Sequence, residues 1–506
     1  MTRRAILSVH DKAGLPAFGR GLARMGYELY STGGTLRTLE EAAVDVRPIT
    51  DLTGMPEMLG GRMKTLHPGV HGGILAKRDD PAQLASLEQQ HLRTIDLVCV
   101  NLSPFAETAA RPSVPYDDVV ERIDVGGPGL IRSAAKNHRS VIVVVRPERY
   151  SEILMTLGRE GDLDPDFRRR LAAEAFAQTA AYDARIASWL RREDPFPPDL
   201  VIAGQLAQHL RYGENPHQQA AFYRLGPDTG GLGSARQLQG AELSFNNLQD
   251  AAVAFAVARE FQRPAAAIVK HTNPCGVAVA HSLQEAYANA YDCDRESAVE
   301  GVVAMNRPLD RATAERIAPI VVEVVLAPSV DEDAAAVLAE KSKVRVLAAG
   351  PVRTPGMDVR AGPGGFLVQT WDRRGFDREA CRVITEKEPT DEEWDQLSFA
   401  WLVVKHVKSR AVVCARGSAA VGIGAGQMSE VDAAVIATHR AGDRAHGAVM
   451  ASDAYIASVG AVEEGLRAGV TAIIQPGGSV RDAEMTAAAN RARAAMVMTG
   501  ERHFRH

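Results

Sequence analysis

The feature of this chain that most restricts its fold is the recurrence of short runs rich in Val, Ile and Leu between longer segments. Such runs are typical of buried strands, and one intervening segment, residues 15–25, has the apolar spacing of a helix. Strands that alternate with helices form a mainly parallel sheet with helices on both faces. The strands predicted in the first part are residues 5–9, 27–30, 95–101 and 141–145. We therefore predict an α/β fold whose ligands bind in loops at the carboxyl ends of the strands.

The length of 506 residues indicates about three domains, at about 100–200 residues for each. The stretch 191–198 is rich in charge and proline, which favours a domain boundary there. A loop within one domain is the alternative. We predict one domain over residues 1–195 and a second part over residues 196–506.

The second part contains two similar stretches, which indicate a diverged duplication. Residues 268–280 and 403–415 each suggest a strand, a turn and a strand, and each contains the sequence Val-Lys-His. Residues 302–305 and 448–451 form a second matching pair of predicted strands. We expect two similar α/β subdomains, and chance similarity between Val-rich strands is the alternative. Their predicted bounds are about 196–365 and 366–506.

Charge and cysteine content exclude several classes of protein. Lys and Arg number 58 against 63 Asp and Glu, and the formal net charge of −5 argues against a general nucleic-acid binder. The five cysteines form no C-x-x-C pair, which disfavours a disulfide framework or a zinc knuckle and favours a reducing compartment. No apolar run approaches the ~18 residues of a membrane helix, and the N-terminal apolar stretch is too short for a signal peptide. We expect a cytoplasmic protein without a nucleic-acid or membrane partner.

Three N-terminal segments carry the residue types that hold a phosphate. The first follows the strand at residues 5–9, the second combines a Gly-Gly turn with Ser and Thr, and the third is a basic loop. Glycine lets the backbone approach an anion, N–H groups at a helix start point at it, and Lys and Arg add charge. The candidate residues are Ser8, Lys12, Ser31, Thr32, Gly33, Gly34, Thr35, Arg62, Lys64 and Thr65. Taken alone, the second segment has an alternative interpretation, a Gly-Gly turn followed by an N-cap threonine.

A carboxylate precedes another glycine turn, formed by Asp124, Gly126 and Gly127. The segment that follows places Arg132 and Lys136 one helical turn apart on one face. A carboxylate and a lysine near a bound phosphate can act as proton donor and acceptor. Asp124 and Lys136 are therefore candidates for this chemistry, and a solvated helix end is the alternative.

Polar turns in the second part supply further candidates. Arg211 lies in an Arg-Tyr-Gly-Glu-Asn turn and can bind a phosphate through two N–H groups. Asn247 belongs to a pair of amides that opens a helix. Lys270 and His271 end a buried strand before Asn-Pro-Cys-Gly, and they can serve as an acid–base couple because a histidine pKa lies near neutrality. The alternative is that Lys270 and His271 lie on the surface and have no function.

Six ordered motifs together resemble the bifunctional AICAR transformylase/IMP cyclohydrolase family over residues 3–506. The motifs are Ser-Val-x-Asp-Lys, Ser-Thr-Gly-Gly-Thr, Arg-x-Lys-Thr-Leu-His-Pro, Arg-Tyr-Gly-x-Asn-Pro-His-Gln, Lys-His-Thr-Asn-Pro-Cys-Gly and Gly-Ile-Gly-Ala-Gly-Gln. The resemblance implies an N-terminal methylglyoxal-synthase-like domain and C-terminal tandem cytidine-deaminase-like subdomains without zinc. The chain accordingly lacks the H-x-E and C-x-x-C patterns of the zinc deaminases.

For the N-terminal domain, the resemblance implies closure of FAICAR to IMP with release of water. Lys64, Asp124 and Lys136 would assist the proton transfers, and the loop at residues 31–35 would hold the phosphate. The C-terminal part would move a formyl group from 10-formyltetrahydrofolate, as co-substrate, to the 5-amine of AICAR.

In that second reaction, the resemblance implies that His271 removes the amine proton and that Lys270 stabilises the transfer. The residues that would hold the nucleotide are Arg211, Tyr212, Asn247 and Arg502. The resemblance also implies a homodimer whose transformylase sites straddle the subunit interface, with no catalytic metal.

The chain departs from the family pattern at several positions. Ser103 stands where the family has a tyrosine, and other changes cluster on the folate side. These folate-side changes are Glu296, Val299, Glu300, Arg410, Glu430 and residues 455–460. They leave two alternatives open. One is an IMP cyclohydrolase whose transformylase domain has lost folate binding or uses another formyl donor, and the other is a catalytically silent nucleotide-binding module. We also expect Arg410 either to replace the cation lost at Glu430 or to pair with Glu430.

Overall fold

A computed structural model describes residues 2–111, 113–225, 230–350 and 357–506. The chain divides into two units, Met1–Gly204 and Gln205–His506. The domain boundary predicted between residues 195 and 196 lies shortly before this division. The two units are described separately.

Helices and strands alternate in the first unit. Its elements are β1 (Arg3–Val9), α1 (Leu15–Arg24), β2 (Tyr27–Ser31), α2 (Gly33–Glu41), β3 (Arg47–Pro48), α3 (Thr50–Thr53), α4 (Pro68–Leu75), α5 (Pro81–Gln89), β4 (Leu97–Asn101), α6 (Phe105–Ala109), α7 (Tyr116–Val120), α8 (Gly126–Lys136), β5 (Ile142–Val144), α9 (Tyr150–Glu160) and α10 (Pro165–Leu190). The four predicted strands and the predicted helix of this part are all present.

The sheet of the first unit has the order β3-β2-β1-β4-β5, and every neighbouring pair in it is parallel. The chain builds outward from β1 to one side through β2 and β3, and then to the other side through β4 and β5. In sheets of this kind, ligands bind outside the carboxyl ends of the strands where the order reverses. The loop after β1 lies at this reversal, and the loop after β2 lies beside it.

The core of the first unit lies on both faces of its sheet. Ile6 and Leu7 are adjacent in β1 and point to opposite faces, yet both are 0% exposed. Helices therefore cover both faces, and burying each such side chain contributes about 1.5–3 kcal/mol. Phe18 of α1 stacks on Tyr150 of α9 with 4.3 Å between ring centroids, which joins these two helices.

The second unit has a longer series of elements. They are β6 (Gln205–Leu210), β7 (Ala220–Arg224), β8 (Arg236–Gln239), α11 (Phe245–Ala258), β9 (Ala265–Lys270), β10 (Asn273–Val279), α12 (Leu283–Tyr291), α13 (Arg295–Ala298), β11 (Val302–Met305), α14 (Arg311–Ile317), β12 (Val324–Ala327), α15 (Glu332–Ala339), β13 (Arg345–Ala348), β14 (Met357–Gly362), β15 (Gly365–Thr370), β16 (Arg382–Val383), α16 (Asp391–Val404), β17 (Val412–Arg416), β18 (Ala419–Gly424), α17 (Glu430–Ala441), β19 (Val449–Ser452), α18 (Val459–Arg467), β20 (Ala472–Gln475), α19 (Asp482–Arg491) and β21 (Ala495–Met498).

Twelve strands of the second unit form one sheet across the residues that the structure describes. Their order is β16-β21-β20-β19-β17-β18-β10-β9-β11-β12-β13-β8. Each half follows the same plan, in which a helix precedes an antiparallel pair of strands and three parallel strands follow. The halves meet where β10 pairs with β18. The predicted subdomain bounds and the likeness to cytidine deaminases stay predictions.

The strand predicted at residues 403 and 404 is wrong, because these residues end helix α16. Thr390 and Glu393 form a capping box at the start of this helix, each side chain accepting the backbone N–H of the other residue. The apolar residues that follow recur at helical spacing, and the Val-Val pair at the end of this buried helix face has the same composition as a short strand. The antiparallel pair β17–β18 is therefore the counterpart of β9–β10. The predicted strands at 302–305 and 448–451 are present as β11 and β19.

None of the helices in the described ranges combines the length and the apolarity needed to span a bilayer.

Candidate active sites

The ends of β1 and β2 are tied together by hydroxyl groups. Thr35 is 4% exposed, and its Oγ1 accepts the N–H of Val9 at 3.0 Å and donates to the Val9 carbonyl at 2.9 Å. Ser8 Oγ lies 3.4 Å from Thr32 Oγ1, and Ser31 Oγ donates to the Leu7 carbonyl at 2.7 Å. The first two candidate segments therefore form one rigid edge of the sheet.

Two ammonium groups flank the Gly-Gly turn at the start of α2. A Cβ placed on Gly33 would lie 3.6 Å from Lys64 Nζ, and one placed on Gly34 would lie 3.9 Å from Lys12 Nζ. Gly33 has φ +49°, a backbone conformation that favours glycine. Because the first N–H groups of a helix have no intrahelical acceptor, this turn and the two lysines are arranged in a way that suits an anion. We call Lys12, Gly33, Gly34, Thr35 and Lys64 the phosphate cradle.

Asn101 at the end of β4 fixes the loop that carries Lys12. Its Oδ1 accepts the N–H groups of His10 and Asp11 at 2.6 and 2.9 Å, and its Nδ2 donates to the Asp11 carbonyl at 3.0 Å. This role of Asn101 was not predicted from the sequence motifs. The sequence does carry a signal for it, because an asparagine that ends a buried strand of a parallel sheet lies at the edge where ligands bind.

In the basic loop after α3, the Lys64 side chain lies beside Gly33, whereas the Arg62 side chain lies beside Glu121. Lys64 Nζ lies 3.0 Å from Glu57 Oε2. The carboxylate of Glu57, which the sequence did not single out, thus holds the ammonium group beside Gly33. Arg62 pairs instead with Glu121, and both side chains are more than half exposed.

The Asp124 turn lies against the same basic loop. A Cβ on Gly126 would approach Thr65 Oγ1 to 2.9 Å, and one on Gly127 would approach Asp124 Oδ2 to 2.6 Å, so side chains at these positions would clash. The Gly127 N–H donates to Asp124 Oδ1 at 2.8 Å. Burial raises the pKa of the Asp124 carboxyl, and the single bond from Gly127 only partly opposes that shift.

The structure does not place Lys136 beside Asp124. Lys136 is the last residue of α8, about 15 Å along the helix axis from its first turn at 1.5 Å per residue. With Arg132 it lines a separate cavity of about 620 Å³, whose other wall includes Arg169 and Phe176 of α10. The sequence prediction that Arg132 and Lys136 share a helix face agrees with this placement.

We expect Asp124→Asn to stabilise the protein at about pH 7. The folded-state pKa of Asp124 is raised above its unfolded value, so the ionised carboxylate destabilises the fold once the pH exceeds the unfolded pKa of about 4. Asparagine removes that charge and keeps an oxygen for the Gly127 N–H. The gain in free energy of unfolding should shrink as the pH falls through the raised folded-state pKa, and it should nearly disappear by about pH 3, about one unit below the unfolded pKa, where the wild-type carboxyl is neutral in both states. Urea unfolding at both pH values measures it, and an equal gain at both would contradict the assignment.

In the second unit, the turn between β9 and β10 carries the Lys-His pair in a strained backbone. His271 and Thr272 have φ values of 54° and 61°, in the left-handed region that a β-branched threonine rarely occupies. Such residues cost about 1–3 kcal/mol each and cluster at functional sites. Asp250 of α11 holds the turn, since its Oδ1 accepts the Thr272 N–H at 2.6 Å, and burial raises the pKa of this carboxyl.

Both ends of this turn contact segments in which the chain departs from the family pattern. Lys270 Nζ donates to the Val299 carbonyl at 2.8 Å. Asn273 Oδ1 accepts the Lys408 N–H at 3.0 Å. The substitutions at Val299 and in the 408–410 loop therefore border the Lys-His pair.

The start of α11 brings together three of the four nucleotide candidates of this unit, Arg211, Tyr212 and Asn247. The Arg211 guanidinium lies 5.5 Å from the Tyr212 ring centroid, and the Phe245 N–H donates to the Tyr212 carbonyl at 3.4 Å. Asn247 is 8% exposed and forms a capping box with Ser244, whose N–H it accepts at 3.1 Å. Its carboxamide oxygen thus orders the helix start, which agrees with the prediction that Asn247 belongs to a pair of amides that opens a helix.

The C-terminal tail is anchored beside the 408–410 loop. The Arg505 N–H donates to Ser409 Oγ at 2.9 Å, and His503 Nδ1 lies 2.5 Å from Asp372 Oδ2. Arg502 is exposed, with its guanidinium 4.5 Å from the Phe504 ring centroid.

Arg410 and Glu430 form an ion pair at 4.0 Å, which confirms the second of the two expectations for Arg410. Glu430 is 7% exposed and accepts the Ala457 N–H at 2.8 Å. Arg410 donates to the Tyr455 carbonyl at 3.0 Å and lies over the rings of Tyr455 and Phe504. The two new charges therefore neutralise each other and hold the altered segment that follows β19.

Within the ranges that the structure describes, no group of three or more His, Cys, Asp or Glu side chains is arranged to hold a metal ion.

Comparison with known proteins covers the whole chain. A family model described as AICARFT/IMPCHase bienzyme matches residues 134–440, and one described as MGS-like domain matches residues 14–129. The bifunctional purine biosynthesis protein PurH of Roseobacter denitrificans is 49% identical over 523 residues, which cover 100% of this chain and 99% of the relative. The protein of the same name from Desulfitobacterium hafniense is 47% identical over 520 residues, with 100% of both chains covered. A solved structure, that of ForH, covers 38% of this chain and 100% of its own at 38% identity, with a TM-score of 0.34.

Proposed function

The chain belongs to the AICARFT/IMPCHase bienzyme family, and from this premise we propose that its two units carry out separate reactions. The protein is an enzyme of purine biosynthesis that catalyses the last two steps of IMP synthesis. It transfers a formyl group from the co-substrate 10-formyltetrahydrofolate to AICAR, which gives FAICAR. It then closes FAICAR to IMP. We assign ring closure to Met1–Gly204 and formyl transfer to Gln205–His506.

The phosphate cradle is the observation that carries the assignment of ring closure. Lys12 and Lys64 lie on either side of Gly33 and Gly34 at the start of α2, and Thr35 locks this edge to β1. A nucleotide phosphate would take the N–H groups of the turn and the charge of the lysines. Ser31, Thr32 and Ser8 line the same edge and complete the proposed phosphate site.

With the phosphate held there, the base lies toward Lys64 and the Asp124 turn. The carboxamide nitrogen attacks the formyl carbon, and the formyl oxygen leaves as water. That water takes one proton from the carboxamide nitrogen and one from the formamide nitrogen. Lys64 and Asp124 pass these protons, and Thr65, Gly126 and Gly127 keep the two residues at a fixed separation. We assign Lys136 no step here, because it lies at the far end of α8, outside this group.

For formyl transfer, we propose that His271 removes the proton from the 5-amine of AICAR as the amine attacks the formyl carbon. The bond between the formyl carbon and N10 of the folate then breaks, and the protonated His271 gives its proton to N10, which leaves as tetrahydrofolate. The strained turn holds the imidazole in place without the cost of ordering it during the reaction. Lys270, fixed by the Val299 carbonyl, stabilises the negative charge on the formyl oxygen. Arg211, Tyr212 and Arg502 hold the nucleotide, and Asn247 orders the helix start beside them.

We propose that the enzyme works as a homodimer in the cytoplasm. The β14–β15 ribbon supports an interface, because two strands alone are marginally stable and its Phe366 and Leu367 are 62% and 71% exposed. Light scattering of the purified protein tests the dimer, and a monomer at assay concentration would contradict it.

Paired assays on one preparation test the function. We expect the protein to convert FAICAR to IMP, and to convert AICAR with 10-formyltetrahydrofolate to FAICAR. Closure without formyl transfer would leave a cyclohydrolase alone and would remove the role of the Lys-His pair. Absence of both activities would leave a nucleotide-binding module.

A further inference from the structure

Tyr182 is a buried tyrosine whose hydroxyl group contacts the backbone beside the Asp124 carboxyl. It lies on α10 and is 6% exposed. Its hydroxyl accepts the Asp124 N–H at 2.8 Å and donates to the Arg122 carbonyl at 3.3 Å. One side chain therefore satisfies a donor and an acceptor on the two residues that lead into the glycine turn.

The ring of Tyr182 is fixed as firmly as its hydroxyl. It meets Phe105 edge-on, with 6.3 Å between centroids and an interplanar angle of 71°. Phe105 begins α6 and donates its N–H to the Ser103 carbonyl at 2.8 Å. Tyr182 thus joins the loop after β4, where Ser103 lies, to the turn that carries Asp124.

The space around the Asp124 carboxyl leaves little tolerance for movement. Its two oxygens face Gly127, where even a Cβ would lie 2.6 Å from Oδ2 and 2.8 Å from Leu102 Cδ2. The Asp124 backbone sets which way the carboxyl points. A small rotation of that backbone would break the bond from the Gly127 N–H and change the direction in which the oxygens point.

We infer that Tyr182 is a positioning residue for ring closure, which fixes the backbone of Asp124 so that its carboxyl faces the bound nucleotide. This inference rests on the proposed cyclohydrolase activity of the first unit. Tyr182 acts through Asp124 and makes no contact with the reacting atoms. Without this hydroxyl, the Asp124 N–H and the Arg122 carbonyl lose a hydrogen-bond partner, so the Asp124 backbone can move. Misplacing a catalytic group by about 1 Å can lower the rate about 100-fold.

The test compares Tyr182→Phe with Tyr150→Phe. Tyr150 is also buried in the first unit, and its hydroxyl accepts the Cys99 thiol at 3.4 Å away from the Asp124 turn. Both variants thus lose one buried hydroxyl and keep the ring. We expect Tyr182→Phe to lower kcat for FAICAR closure by about 10- to 100-fold with KM changed less than about twofold. Tyr150→Phe should keep kcat, and formyl transfer by the same preparations should be unchanged.

A second comparison asks whether Tyr182 acts through Asp124. In an Asp124→Ala background, adding Tyr182→Phe should lower kcat no further, because the group that it positions is gone. The inference would be overturned if the two substitutions lowered kcat by factors that multiply in the double variant. It would also be overturned if Tyr182→Phe and Tyr150→Phe had equal kcat. A wild-type protein that fails to close FAICAR would instead overturn the proposed function, so the two failures are distinguishable.

Discussion

Replacing Lys64 by methionine is expected to lower kcat for FAICAR closure by about 10²–10⁴-fold, the range typical of a lost acid–base group. The Lys64 ammonium lies between Glu57 Oε2 at 3.0 Å and the Gly-Gly turn, where the proposed nucleotide phosphate binds. Methionine keeps the length of the side chain and removes the proton that the reaction needs. Initial rates of IMP formation, measured over a range of FAICAR concentrations, separate kcat from KM.

Lys77→Met is the matched control, because Lys77 is an exposed lysine of the same unit outside the phosphate cradle. It should close FAICAR at the wild-type rate. Formyl transfer by Lys64→Met should also be unchanged, since the proposed site of that reaction lies in the second unit. A Lys64→Met protein whose kcat stays within about threefold of wild type would remove Lys64 from the chemistry.

His271→Asn is expected to lower kcat for formyl transfer by about 10²–10⁴-fold while FAICAR closure continues. Asparagine suits this test because it tolerates the left-handed backbone better than most residues, so the turn at φ 54° should survive. It cannot remove a proton near neutral pH, which is the role proposed for the imidazole. The measurement is FAICAR formation from AICAR and 10-formyltetrahydrofolate under saturating substrate.

His281→Asn provides the control for this change, since His281 is an exposed histidine in the same unit, beyond β10. It should transfer formyl groups at the wild-type rate. If His271→Asn retained most of the activity, the base would have to be another group. Asp250, whose carboxyl holds the neighbouring Thr272 N–H, would then be the next residue to test.

The phosphate cradle could be predicted from the sequence because its geometry follows from sheet topology. In a parallel sheet, segments that end neighbouring strands must meet at one edge, so Ser8 and Thr32 lie together once β1 and β2 are recognised. The glycines at 33 and 34 then indicate where an anion can approach the backbone closely. Lys64 joins this edge through a long loop, and its basic segment marks it in the sequence as a phosphate candidate.

Two predictions failed to place residues correctly for reasons of helix geometry. Asp124 and Lys136 are close in sequence, but a continuous helix separates them by its full length. Residues 403–404 are β-branched and apolar, and a short apolar pair does not distinguish a strand from the end of a buried helix. In both cases the missing information was the extent of one helix.

Other roles depend on contacts between distant segments and carry no local pattern. Tyr182 meets Asp124 only because α10 packs beside α8, and Asn273 meets Lys408 across 135 positions of the chain. Asn247 occupies a helix start, where binding a ligand and capping the helix call for the same residue type. Sequence alone could propose either use for Asn247.

A crystal structure of the protein with IMP bound tests the central claim most directly, because that claim concerns where the phosphate binds. We expect the phosphate oxygens within hydrogen-bonding distance of the N–H groups at the start of α2 and of Lys12 Nζ, with the base directed toward Lys64 and Asp124. An IMP phosphate held elsewhere on the first unit, with the Gly33–Gly34 turn left to solvent, would contradict the account.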